Sequence, residues 1–139
     1  TLTYDGWPGK EAILRQVTVL KTDAVEAALL TGESDRYQAA RQLAAFGPRE
    51  VLVTHGGGVL VFHDDVFDEA PFAPREVRGR SGRGDTCTAA YLSRRLTASP
   101  AEAVTWAAAV TSLKLEAEGP FHSEMAEVEA LYERLRRDR

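Results

Sequence analysis

Apolar and polar positions alternate along the chain in blocks that change period, and each change marks an element. Thr1–Tyr4 predicts a short strand, Asp5–Gly9 a turn, and Lys10–Gln16 a short helix. Val17–Leu20 is an apolar, β-branched run and predicts a buried strand. Asp23 is placed to cap a helix reaching about Leu30, with Gly32 to stop it. Ser34 or Asp35 opens a second helix through Ala45, with Ala39, Leu43 and Phe46 on one face and Gly47-Pro48 after it. Glu50–Thr54, a Gly56-Gly57-Gly58 turn and Val59–His63 read as a hairpin. Asp64-Asp65 makes the next turn, and Val66–Phe72 and Glu76–Val77 are candidate edge strands, limited by Pro71 and Pro74. Three helices follow. The first runs from about Gly84 to Leu96, with Ala89, Ala90, Leu92 and Leu96 near one face. The second opens at Ser99-Pro100, is rich in alanine and is closed by Gly119-Pro120. The third carries Met125, Val128, Leu131 and Leu135 at helical spacing and ends in a basic tail. Strands alternating with helices imply an α/β layered sheet.

Composition narrows the class. One hundred and thirty-nine residues suit a single domain. A net charge of −4 argues against a general nucleic-acid binder. Cys87 is the single cysteine, which excludes an internal disulfide and suits a cytoplasmic setting. No apolar run is long enough for a membrane span, and no signal-peptide pattern opens the chain.

The chemistry concentrates at Gly79-Arg80-Ser81-Gly82-Arg83-Gly84-Asp85-Thr86. Three glycines lie within six residues, and a helical run follows. Backbone N–H groups at a helix start have no intrahelical partner, so such a loop offers an anion site. Asp85 beside it suits a proton acceptor next to a group that becomes negative in the transition state. The same residues read equally well as a glycine-rich turn with Asp85 or Thr86 as an ordinary cap. Four arginines, Arg75, Arg78, Arg80 and Arg83, fall within nine residues, and guanidinium suits phosphate. Surface charge balancing nearby acids is the better reading for Arg75 and Arg78, whereas Arg83 sits inside the loop. Asp64-Asp65 reads better as a solvated turn than as a metal ligand pair, and Cys87 better as a packing residue than as a nucleophile. No P-loop or complete dinucleotide fingerprint is present, the arginine after Cys87 falls one position too far for a cysteine phosphatase, and His55, His63 and His122 have no zinc spacing.

Ser81-Gly82-Arg83-Gly84-Asp85 resembles the Thr-Gly-Ala-Gly-Asp part of the second signature of ribokinase/PfkB carbohydrate and nucleoside kinases. Gly79-Arg80 stands where that signature begins Asp-Thr. Lys21–Glu26 with Leu29-Leu30-Thr31-Gly32 resembles the family's Asn-x-x-Glu and Leu-Thr-Gly segments, with Asp23 for asparagine. Val51–Val61 resembles its Thr-x-Gly-x-x-Gly hairpin, one residue shorter between the outer glycines. The three matches come in the family's order and cover most of residues 17–121.

The resemblance implies a layered ribokinase-like αβα sheet, with residues 1–139 as its C-terminal half. It implies ATP-dependent phosphotransfer to a hydroxyl of a sugar or related small molecule. In that scheme Asp85 is the base, and Gly82, Arg83 and Gly84 form the anion hole. Thr54, Gly56, Gly57, Gly58, Ala108 and Gly119 line the nucleotide, and Glu26 and Asp23 organise Mg²⁺. A non-catalytic nucleotide- or phosphate-binding module stays open as the alternative. Family kinases are about twice this length, so the substrate and lid half has no counterpart here. The 139 residues alone are then expected to be inactive and to self-associate through an exposed apolar edge, with neither nucleic acid nor membrane as a partner.

Overall fold

The structure is a computed structural model that describes residues 7–139. The strand expected at Thr1–Tyr4 lies outside the described residues. The chain divides into two compact units, one of residues 1–55 and 60–68 and the other of residues 56–59 and 69–139.

In the first unit, α1 (Lys10–Leu14) precedes β1 (Val19–Asp23), α2 (Ala24–Thr31), α3 (Arg36–Ala45), β2 (Glu50–His55) and all but the first two residues of β3 (Gly58–His63). A fourth strand, β4 (Val66–Pro71), ends the sheet, whose strand order is β1-β2-β3-β4. β1 pairs with β2 in parallel, in a register that sets Val19 against Glu50 and Asp23 against Thr54. A parallel pair needs a crossover, and α2 and α3 supply it. Their apolar side chains Ala27, Leu30, Ala39, Ala40 and Leu43 pack with Leu14, Val51, Val53, Leu60 and Phe62 to form the core of this unit.

β1 begins two residues later than the apolar run predicts, because pairing with β2 extends the strand through Lys21, Thr22 and Asp23. The hairpin turn between β2 and β3 is only Gly56-Gly57. Gly58 belongs to β3, where the backbone of Ala70 and Pro71 on β4 leaves no room for a Cβ. Asp64 and Asp65 form the next two-residue turn, both at positive φ (45° and 59°), a conformation that aspartate tolerates better than most residues. Glu76–Val77 is not a strand. Arg78 N–H and Gly79 N–H both donate to the Leu115 carbonyl, at 2.7 and 3.2 Å, and hold the segment as a loop.

The second unit contains α4 (Arg83–Arg95), α5 (Pro100–Leu115) and α6 (Met125–Arg137). α5 is enclosed on all sides from Ala103 to Ala109 apart from Trp106, and its small side chains let α4 and α6 approach closely. It stops at Leu115, four residues before the Gly119 that the sequence suggested as its end. α4 buries Cys87, Ala90 and Tyr91, whereas the expected Leu92 and Leu96 face outward. The buried stripe therefore lies one position away from the leucines. Arg94 stacks over Trp106 at 4.8 Å and Tyr132 at 5.7 Å, tying the three helices together. α6 buries Val128, Leu131, Tyr132 and Leu135, while Met125 is exposed. Its tail is not simply solvated: Arg139 donates to Thr105 Oγ1 (2.7 Å) and to the carbonyls of Glu69 (2.6 Å) and Ala101 (3.3 Å).

Candidate active site

The first unit gathers three of the residues singled out from sequence at the carboxyl ends of its parallel strands. Asp23 caps α2 and stands in register with Thr54. Asp23 Oδ1 accepts the Glu26 N–H at 2.8 Å, and Glu26 Oε2 accepts the Asp23 N–H at 2.9 Å, a reciprocal capping box. Thr22 Oγ1 also donates to Glu26 Oε2, at 3.3 Å. One oxygen of each carboxylate lies outside these capping bonds. Thr54 is buried. The carboxyl ends of parallel strands are where open α/β sheets bind ligands.

The second unit holds the glycine-rich loop. α4 starts earlier than the sequence suggested: Gly82 is the N-cap and Arg83, Gly84 and Asp85 form its first turn. Gly82 adopts φ 79°, the left-handed conformation that favours glycine, and it has no side chain to close the helix end. Thr86 N–H closes the first turn on the Gly82 carbonyl at 2.9 Å. The Arg83 N–H is donated to the Arg80 carbonyl at 3.2 Å. The N–H groups of Gly82, Gly84 and Asp85 are then the donors that a helix start leaves without an intrahelical partner. Asp85 is exposed.

The four arginines separate into two pairs. Arg75 forms a forked ion pair with Glu116, with Nη2 to Oε2 at 2.7 Å, and Arg78 pairs with Glu76 at 2.9 Å. The Arg75 hydrogen bonds hold the Glu116 carboxyl below its ordinary value, against a smaller opposing effect of burial. Arg80 and Arg83 have no ion pair among the described residues. Glycine is required at position 79 in this chain. A Cβ there would stand 2.5 Å from the Ala117 carbonyl oxygen and 2.9 Å from Glu118 Cα.

Lys114, which sequence reasoning passed over, lies beneath the loop. Only 2% of it is exposed, and its ammonium donates to the carbonyls of Gly79 (3.2 Å) and Ala117 (3.5 Å). Ala108 is fully buried in α5, where its carbonyl accepts Ser112 Oγ at 2.6 Å, and Gly119 is exposed at positive φ. An apolar cleft of about 510 Å³ begins at Thr86 on α4 and is walled by Trp106, Val110, Pro120 and Phe121. Gly57 and Gly58 belong to this unit through their contacts with β4 and the residue after it: the Gly57 carbonyl accepts the Phe72 N–H at 2.9 Å. Gly56 faces open space.

The family model for pfkB family carbohydrate kinases matches residues 7–126. The chain belongs to the PfkB family. A pyrophosphate-dependent kinase of the ribokinase family, solved with a pyrophosphate analogue and myo-inositol, is 41% identical with a TM-score of 0.80, covering 89% of this chain and 45% of that one. Ribokinase of Arabidopsis thaliana, solved with ribose and ATP, is 26% identical with a TM-score of 0.79, covering 88% of this chain and 43% of that one. Cytidine kinase of Thermococcus kodakarensis is 32% identical over 84 residues, which are 58% of this chain and 30% of that enzyme. The chain thus spans less than half the length of these PfkB relatives, and its mixed α/β architecture is ribokinase-like. Among the described residues, no helix is long and apolar enough to cross a membrane, and no cluster of three or more His, Cys, Asp or Glu could hold a metal ion.

Proposed function

We propose that this chain supplies the donor-binding and proton-accepting part of a kinase that phosphorylates a hydroxyl of a sugar, polyol or nucleoside. The observation that carries this reading is the α4 start: a helix end with no side-chain cap, Asp85 in its first turn, and Arg80 and Arg83 unpaired beside it. Phosphoryl transfer asks mainly for positioning and charge stabilisation. The N–H groups of Gly82 and Gly84, with the Arg83 side chain, hold the transferring phosphoryl oxygens. Arg83 contributes through its guanidinium, since its N–H serves Arg80. Asp85 takes the acceptor proton as the hydroxyl oxygen bonds to phosphorus and the bond from phosphorus to the donor's bridging oxygen breaks, releasing the remainder of the donor. A carboxylate is a weak base, which suffices when the proton leaves late, after the attacking oxygen has become acidic.

Asp23 and Glu26 fit Mg²⁺ through their oxygens outside the capping bonds. This ion usually takes one or two carboxylates, keeps several waters and binds the donor phosphates. When bound it neutralises charge on the donor. By the family resemblance Gly56 and Gly57 at the β2–β3 turn are the donor-contacting positions, with Gly58 packed against β4 and Thr54 buried in the strand before them. With ATP as donor, the apolar cleft beside Thr86 receives the base. Gly119 borders it, and Ala108 acts from behind its wall.

Pyrophosphate is a second reading for the donor. The unpaired Arg80 and Arg83 favour it, as does the 41% identity to a pyrophosphate-dependent kinase. Phosphorus NMR of the protein at its natural length, given ATP or pyrophosphate with ribose, myo-inositol or cytidine, decides between them. A phosphomonoester from either donor supports the kinase reading, and its absence with every pair sinks it in favour of a non-catalytic phosphate-binding module. The 139 residues alone are expected to form no product and to self-associate through apolar side chains such as Leu92 and Leu96, which gel filtration tests.

A further inference from the structure

We propose that Lys114 is a positioning residue of the donor site, acting on the donor phosphates through the Gly79–Gly82 loop and through its buried charge. The inference rests on the phosphoryl-transfer reading above. Lysine is rarely buried without an anionic partner. Lys114 is almost fully enclosed, and among the described residues its ammonium meets only two backbone carbonyls, of Gly79 and Ala117. Carbonyl dipoles orient an ammonium but do not neutralise it. Glu116, two residues along the chain, is held by Arg75 instead.

The position of this charge is specific. The methylene next to the ammonium lies 3.8 Å from where a Cβ on Gly82 would stand, so the charge sits under the N-cap of α4. The same lysine fastens the loop. Its bond to the Gly79 carbonyl works with the Gly79 N–H bond to Leu115, and both tie Gly79 to the end of α5. The loop therefore carries three cations without a carboxylate partner, Arg80, Arg83 and Lys114, around N–H groups that already favour an anion. A bound phosphate chain supplies the missing counter-charge. It also gives a role to a lysine at a position where a leucine would bury more easily.

Lys114→Met keeps the stem and removes the charge. Lys114→Gln keeps a hydrogen-bond donor and removes the charge. Both are made in the protein at its natural length. Calorimetry with pyrophosphate and with Mg-ATP at two salt concentrations reads donor affinity, and steady-state kinetics separates donor KM, acceptor KM and kcat. The expected result for both variants is donor affinity weaker by about tenfold, a flatter salt dependence and an acceptor KM within about twofold of wild type. A merely structural lysine would instead shift stability, kcat and both KM values together. A folded Lys114→Met protein that binds both donors within about twofold of wild type overturns the inference. Failure of both variants to fold overturns it too, because the lysine is then a structural pin. A wild-type protein that binds donor in a Lys114-dependent way but transfers nothing counts against the kinase reading and leaves this one standing.

Discussion

The starts of α2 and α4 solve the same problem in opposite ways. Both helices leave backbone donors without partners at their first turn. At α2 the chain answers from its own sequence, with Asp23 and Glu26 closing the end reciprocally. At α4 it places glycine at the cap, brings up cations and leaves N–H groups for a guest. The difference separates a helix end closed by its own side chains from one with no side-chain cap. The α2 start carries the carboxylates Asp23 and Glu26, whereas the α4 start carries Asp85 together with Arg80 and Arg83.

The sharpest way to break the comparison is Asp85→Asn. Asparagine keeps the size and the backbone donors but cannot take a proton. Turnover should fall by about 10²- to 10⁴-fold while donor affinity stays nearly unchanged, measured by kcat and by calorimetry. An unchanged kcat would reduce α4 to a binding element. Next in size is a backbone test in the β2–β3 hairpin. Gly58→Ala should cost about 1–3 kcal/mol in urea unfolding, because the new methyl meets the Ala70 carbonyl. Gly56→Ala faces open space and should stay within about 0.5 kcal/mol.

Two substitutions sharpen the acidic end. Asp23→Ala removes the cap of α2 and should cost about 1 kcal/mol. Asp23→Asn preserves the cap and removes the charge. Stability should hold, while the Mg²⁺ concentration for half-maximal activity rises. An unchanged Mg²⁺ titration would leave Asp23 as a cap alone. The smallest expected effect is on acid stability. Glu116 has its folded-state pKa lowered by Arg75, so its contribution is present above the unfolded carboxylate value and is lost as pH falls through the folded one. The pair is largely exposed on the Arg75 side, so solvent screens most of it. Glu116→Gln should remove this small contribution at neutral pH and leave stability at strongly acid pH unchanged, so the acid limb of a thermal-stability curve flattens slightly.

Local signals were legible before the structure. The Asp23 and Ser99 caps, the breaks at Gly32 and Pro100, the Asp64-Asp65 turn and the loop before α4 are each fixed by residues within a few positions of one another. Long-range effects were not. Lys114 carries no signal in the sequence, because nothing within five positions announces that a loop 35 residues earlier folds over it. Glu76–Val77 has the composition of an edge strand, but the chain just after it, at Arg78 and Gly79, bonds to the Leu115 carbonyl at the end of α5 rather than to a strand. The outward face of α4 was misjudged for a related reason: Leu92 and Leu96 are as apolar as the buried stripe, and only packing against α5 selects Cys87, Ala90 and Tyr91.

The two tight turns of β2-β3-β4 also bear on the order in which the chain acquires its structure. Each joins neighbouring strands through two residues, so those pairings close over short loops, on a timescale of about 1–10 μs for an isolated hairpin. β1 must wait for α2 and α3 to span the distance to β2, and longer closures are entropically slower to reach. The ribbon of three strands should therefore nucleate folding, with β1 docking onto it afterwards. Val61→Ala should then slow refolding, whereas Leu20→Ala should mainly speed unfolding. The reverse pattern in stopped-flow measurements would place the nucleus at the crossover instead.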